Sequence, residues 1–169
     1  MKGSEVRDPV FTETLQISIV VRDLDASLKR FVEGYGIGPW EIYEFNPGTM
    51  TEMLGRGGAE TEFRFRIAVT MVGSVQWELV QPLEEQGIFA DFLREHGEGL
   101  HHVAVGGKPF DETLATMQGH GRELLQGGVY NGVRFAYVTT SDDLGVVTEI
   151  FDWPEGHTQE PDAVYPAGD

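Results

Sequence analysis

The hydrophobic pattern of the 169-residue chain changes period several times, and each change marks an element. LQISIVV, Leu15 to Val21, is an apolar run rich in β-branched residues and reads as a buried strand. Beyond it, Leu28, Phe31, Val32 and Tyr35 recur at helical spacing, which predicts a helix with Asp25 as N-cap and Gly36 and Gly38 ending it. PWEIYEF, Pro39 to Phe45, returns to an extended pattern, and NPGTMTEMLGRGGAE reads as a turn-rich loop. FRFRIAVTMV and VQWELVQP then predict two strands joined by a tight turn at Gly73-Ser74.

The same order recurs downstream. Ile88, Phe89, Phe92 and Leu93 form the apolar stripe of a short helix, followed by the strand LHHVAV. Phe110, Leu114 and Met117 space a second long helix, RELLQGG reads as a short strand ending in Gly127-Gly128, and VRFAYVTT and GVVTEIFD close the series. A βαβββ order used twice predicts an α+β fold of two modules. The modules span residues 12–83 and 99–152, with a linker containing the short helix at 84–98. A polar segment covers 1–11, and a Pro- and acid-rich tail covers 153–169 that reads as surface or mobile chain.

Composition narrows the function. Twenty-two glycines suit a turn-rich, strand-rich fold. A net charge of -16 repels phosphate backbones and anionic lipid, arguing against nucleic-acid and membrane partners. The absence of cysteine excludes thiolate metal sites and disulfides. MKGSEVRDPVF lacks the apolar core of a signal peptide, and the chain reads as soluble and cytoplasmic.

Four positions stand out chemically. GLHHVAVGG carries two adjacent histidines in an apolar strand, and alternation puts His101 and His102 on opposite faces without saying which turns inward. Glu78 lies between Trp77 and Leu79, and Glu149 between Thr148 and Ile150; a carboxylate in an apolar strand is costly to bury unless paired or bound to a cation. Gln16 opens the first strand. Each residue sits on the first or last strand of its module, so symmetric packing would gather Gln16, Glu78, His102 and Glu149 in one cleft. An imidazole, two carboxylates and an amide oxygen suit one divalent cation such as Zn, Ni, Co or Mn. The plainer alternative for either glutamate is a solvent-facing position or a partner in Arg64 or Arg66.

The residues QISIVVRDLDASLKRF, WELVQPL, FLREHGEGLHHVAV and LGVVTEIFD resemble the vicinal-oxygen-chelate superfamily, which contains glyoxalase I, methylmalonyl-CoA epimerase, extradiol dioxygenases and bleomycin-resistance proteins. The likeness runs from about Leu15 to Phe151 and is greatest to the epimerase branch. It implies a glyoxalase-like fold, in which the two modules pack with pseudo-twofold symmetry into a half-open curved mixed sheet. The same likeness implies metal ligands at Gln16, Glu78, His102 and Glu149, and Glu149 as general base. It also makes His102 the inward histidine and His101 the outward one. The chain departs from that branch at Gln16 and Glu78, a set similar to that of animal glyoxalase I. It departs again in the third strand, FRFRIAVTMV, where epimerases carry a second catalytic glutamate; here Glu62 stands only at its edge.

The resemblance implies a metal-dependent isomerase, epimerase or lyase that stabilises an enolate of a small carbonyl or acyl-thioester substrate, assembled as a homodimer. Arg64 or Arg66 would hold a substrate anion, and Tyr137, with Trp40 and Tyr43, would line the pocket or simply pack the core. The alternative is a metal-free, ligand-sequestering protein of the bleomycin-resistance type.

Overall fold

The computed structural model describes residues 8–168, so residues 1–7 of the polar N-terminal segment lie outside the description. Ten strands form one sheet: β1 (Phe11–Val20), β2 (Trp40–Phe45), β3 (Met50–Leu54), β4 (Phe65–Val72), β5 (Val75–Pro82), β6 (Gly99–Gly107), β7 (Leu124–Tyr130), β8 (Val133–Val138), β9 (Val147–Asp152) and β10 (Ala163–Tyr165). Their order is β10-β2-β4-β5-β1-β6-β9-β8-β7-β3. This is an α+β fold built on a curled, half-open mixed sheet; the repeated element order predicts its α+β class, and the resemblance its curvature. The order 2-4-5-1 is mirrored by 7-8-9-6, and the halves join where β1 pairs antiparallel with β6. Parallel pairs β1·β5 and β6·β9 flank that seam.

Two helices, α1 (Leu24–Tyr35) and α3 (Phe110–Gly119), cover the outer face. α1 packs Leu24 and Leu28 against Trp40, Ala68 and Leu79, and α3 packs Phe110 against Ala136 and Ile150. Between the modules lies α2 (Ile88–His96), and a short α4 (Ser141–Leu144) precedes β9. The N-cap of α1 is Asp23 and not Asp25: Asp23 accepts the Ala26 N–H at 2.9 Å, a cap worth about 1 kcal/mol. Asp25 instead reaches out to Arg66. Gly36 closes the helix at φ 66°, a left-handed conformation that favours glycine.

Three local expectations are corrected. The loop after Phe45 contains β3, which crosses to pair with β7 of the other half; a pairing partner some 75 residues away leaves no local trace. β7 runs through Gly127 and Gly128 instead of stopping there. A side chain at Gly128 would meet Met50 and one at Gly127 the Phe135 carbonyl, so these glycines admit the neighbouring strands. The tail residues Ala163–Tyr165 pair with β2 as an edge strand. No helix among the described residues is long and apolar enough to cross a membrane.

The concave face carries the larger core, with Tyr43, Phe65, Ile67, Val69, Phe89, Phe135 and Tyr137 buried together. It curves around a cavity of about 680 Å³.

Candidate metal centre

The ladder explains how distant residues meet. β5, β1, β6 and β9 are consecutive in the sheet, and Ser18 pairs across to Glu78 on one side and His102 on the other. Glu149 is opposite Ala104, two residues along from His102 on the same face. Gln16 precedes Ser18 by the same step. All five side chains are buried, His102 and Ser18 completely.

Ser18 Oγ donates to Glu78 Oε1 at 2.6 Å, and Gln16 Nε2 donates to Glu78 Oε2 at 3.2 Å and Gln76 Oε1 at 2.7 Å. His102 Nε2 lies 3.3 Å from Glu78 Oε1 and 3.0 Å from Glu149 Oε2. The latter approach is a charge contact and not an aligned hydrogen bond. Gln16 Oε1, His102 Nε2 and Glu149 Oε2 are all buried without a hydrogen-bond partner. Such atoms are rare, because each forfeits its solvation.

As they stand, no three His, Asp or Glu side chains among the described residues form a ready metal cage. Both oxygens of Glu78 are engaged by Ser18 and Gln16, and the amide oxygen of Gln16 is needed to complete a set of four. The donor set nonetheless fits a divalent cation. Neighbouring ligand atoms held about 2.1 Å from an ion lie roughly 3.0–3.4 Å apart, the spacing of His102 Nε2 from each carboxylate. Gln16 Oε1, which has no partner, and the His102 and Glu149 atoms, which meet each other only as a charge contact, are the donor types such an ion takes.

Burial alone would depress His102; the charge of Glu149, followed by Glu78, overcomes it and raises the imidazole to about 9. Burial lifts Glu149 to about 7 against the opposing influence of His102. Burial also raises the Tyr137 phenol, reinforced by the charges of Glu149 and Glu78. His101 goes the other way, to about 3, through burial and then its neighbours His102 and His96.

The expectation that His101 turns away holds only in part. Between Ser18 and Ile19 the partner on β6 jumps from His102 to Leu100, so His101 is the extra residue of a β-bulge. It is buried against Phe89 and Phe92, with ring centroids 5.1 Å away in each case. Its Nδ1 reaches within 3.0 Å of His102 Nδ1.

Tyr137 and Tyr43 line the cavity. Trp40 does not; it is buried under α1. Arg64 and Arg66 also lie outside it. Phe65, Ile67, Val69 and Met71 take the cavity-facing positions of β4, so alternation turns the arginines outward, where Arg64 pairs with Glu84 and Arg66 with Asp25 and Glu44. Glu62 is exposed ahead of β4.

Sequence reasoning missed Ser18, whose spacing from Gln16 on one strand face is a usable signal. It also missed Glu41, which lines the cavity and accepts the Tyr43 hydroxyl at 2.9 Å.

A curved sheet of paired βαβββ halves enclosing a cavity, with carboxylates and an imidazole buried at its seam, defines a class of protein. The chain belongs to the Glyoxalase/Bleomycin resistance protein/Dioxygenase superfamily, whose model matches residues 15–137.

Among known proteins it is similar to the uncharacterised protein YqjC of Bacillus subtilis, 30% identical over 100 residues, 56% of this chain and 69% of that one. Hypothetical protein BH1468 from Bacillus halodurans shares the fold with a TM-score of 0.66 at 22% identity, over 87% of this chain and 98% of the other. The methylmalonyl-CoA epimerase of Mycobacterium tuberculosis gives 0.60 at 21%, over 89% and 94%. That of Streptomyces coelicolor in complex with 2-nitronate-propionyl-CoA gives 0.59 at 23%, over 83% and 96%. At these identities the structural likeness is one of fold.

Proposed function

We propose that the protein is a metal-dependent isomerase, epimerase or lyase that removes a proton from the carbon beside a substrate carbonyl. The observation that carries this reading is the buried cluster at the edge of the cavity, in which His102 Nε2 lies within 3.3 Å of both the Glu78 and Glu149 carboxylates and Gln16 Oε1 is left without a partner. Gln16, Glu78, His102 and Glu149 would hold one divalent ion, Zn, Ni, Co or Mn. Bound there, the ion supplies Lewis acidity to the carbonyl oxygen of the substrate.

The side chains do the rest. Glu149 lines the cavity and acts as general base. Tyr137, buried beside it, orients its carboxylate and shields it from water. Ser18 fixes the Glu78 carboxylate by its 2.6 Å hydrogen bond. The cavity-facing side chains of β4 are all apolar, so β4 supplies no second base; the other carboxylate in the cavity is Glu41 of β2, which accepts the Tyr43 hydroxyl. Cytoplasmic location and a homodimer belong to the same proposal.

The test is metal analysis of protein prepared without chelators, followed by solvent deuterium exchange into α-hydroxyketones and hemithioacetals. One equivalent of metal, with exchange abolished by Glu149→Gln, is the expected result. A protein that takes up no metal after loading, and exchanges nothing, is instead a binder of the ligand-sequestering type.

A further inference from the structure

We infer that the cavity selects an uncharged, largely aromatic or apolar carbonyl compound, and rejects one whose reacting part carries a carboxylate or phosphate. The inference rests on the proposed enolate chemistry for the word carbonyl, but on the lining alone for the charge. Eight lining residues are aromatic, among them Phe45, Phe65, Tyr130, Phe135, Phe151 and Trp153. Phe45 stacks between Tyr130 and Phe65, at 4.0 and 4.6 Å between centroids, so these rings present a broad packed wall.

The charged lining residues are Glu41, Glu78 and Glu149, and no Lys, Arg or His among the described residues joins them. Arg64, just ahead of β4, and Arg66 on it, which could have met an anion, face outward in ion pairs. A divalent ion would be neutralised by Glu78 and Glu149, leaving the cavity with the negative charge of Glu41. The remaining polar lining, Ser74, Gln76, Thr158 and Gln159, is neutral and suits hydroxyl or carbonyl oxygens. An anionic ligand therefore enters an apolar-walled, net negative space with no cationic side chain among the described residues to meet it.

Binding of a matched pair tests this: 2-hydroxyacetophenone and the same compound carrying a ring carboxylate, titrated by quenching of intrinsic fluorescence. Both metal-loaded and chelator-treated protein are used. The neutral probe binds at least about tenfold more tightly to each form. Glu41→Arg, which places a cation at the cavity, narrows or reverses the gap.

Equal or tighter binding of the carboxylated probe overturns the inference, as does failure of the neutral probe to bind up to its solubility. A protein that never takes up metal yet keeps the preference loses the catalytic reading alone. One that binds metal but prefers the anion loses only the substrate class.

Discussion

Nδ1 of His101 lies 3.0 Å from Nδ1 of His102, across a β-bulge that brings adjacent residues of one strand into contact. To offer its Nε2 lone pair to a cation, His102 must carry its proton on Nδ1, and His101 Nδ1 is the acceptor that holds it there. His101→Phe keeps an aromatic ring against Phe89 and Phe92 but deletes that acceptor. Metal affinity, read by competition with a chromophoric chelator, falls about 10–100-fold, while the thermal midpoint changes little. Unaltered affinity removes His101 from the site.

The same histidine makes the fold acid-sensitive. Its pKa falls from 6.5 in the unfolded chain to about 3 in the native one, chiefly through burial. The unfolded state therefore binds a proton that the native state refuses. Stability is fully present above pH 6.5 and drains away as pH falls toward 3. Denaturant midpoints of chelator-treated protein between pH 7 and 4 show this slope, and His101→Phe flattens it. Parallel slopes in the two proteins contradict the assignment.

Ser18→Ala removes the hydroxyl that donates at 2.6 Å to the buried Glu78 carboxylate. A buried acceptor stripped of its donor costs about 1–3 kcal/mol. Urea unfolding measures the loss, and a midpoint equal to the parent's means that the hydroxyl carries no such weight.

Gly127→Ala places a Cβ 2.8 Å from the Phe135 carbonyl oxygen, a backbone atom of the paired strand that cannot swing aside. Gly128→Ala meets first the mobile end of Met50, at 2.9 Å. The first substitution is the more damaging, by roughly 1–3 kcal/mol as overpacking usually costs. Thermal midpoints in the reverse order refute the account of β7.

Arg66→Ala tests the outward arginines. Its partners Asp25 and Glu44 are exposed, and such ion pairs contribute about 0–1 kcal/mol. Neither ligand affinity nor exchange rate changes by more than about twofold; a large loss in either would return Arg66 to the cavity.

The element order was legible because burial imposes a period on each segment. LQISIVV, LHHVAV and the helix carrying Leu28 and Phe31 announce themselves from their own residues. β3 and β10 did not, since MTEML and AVY become strands only by pairing with β7 and β2. Gln16, Glu78, His102 and Glu149 were legible as polar residues in apolar strands, and the resemblance grouped them. The direction of Arg64 and Arg66 was not, because alternation fixes that they share a face but not which face.

The sequence by itself determined which strands and helices form and which polar groups need partners, since both follow from local periodicity and the cost of desolvation. Only the tertiary structure decided that Ser18 and His101 hold Glu78 and His102, and that the cavity is aromatic and, among the described residues, without cationic side chains. Those facts depend on cross-strand register and on a bulge, and register is a relation between segments that no single segment encodes.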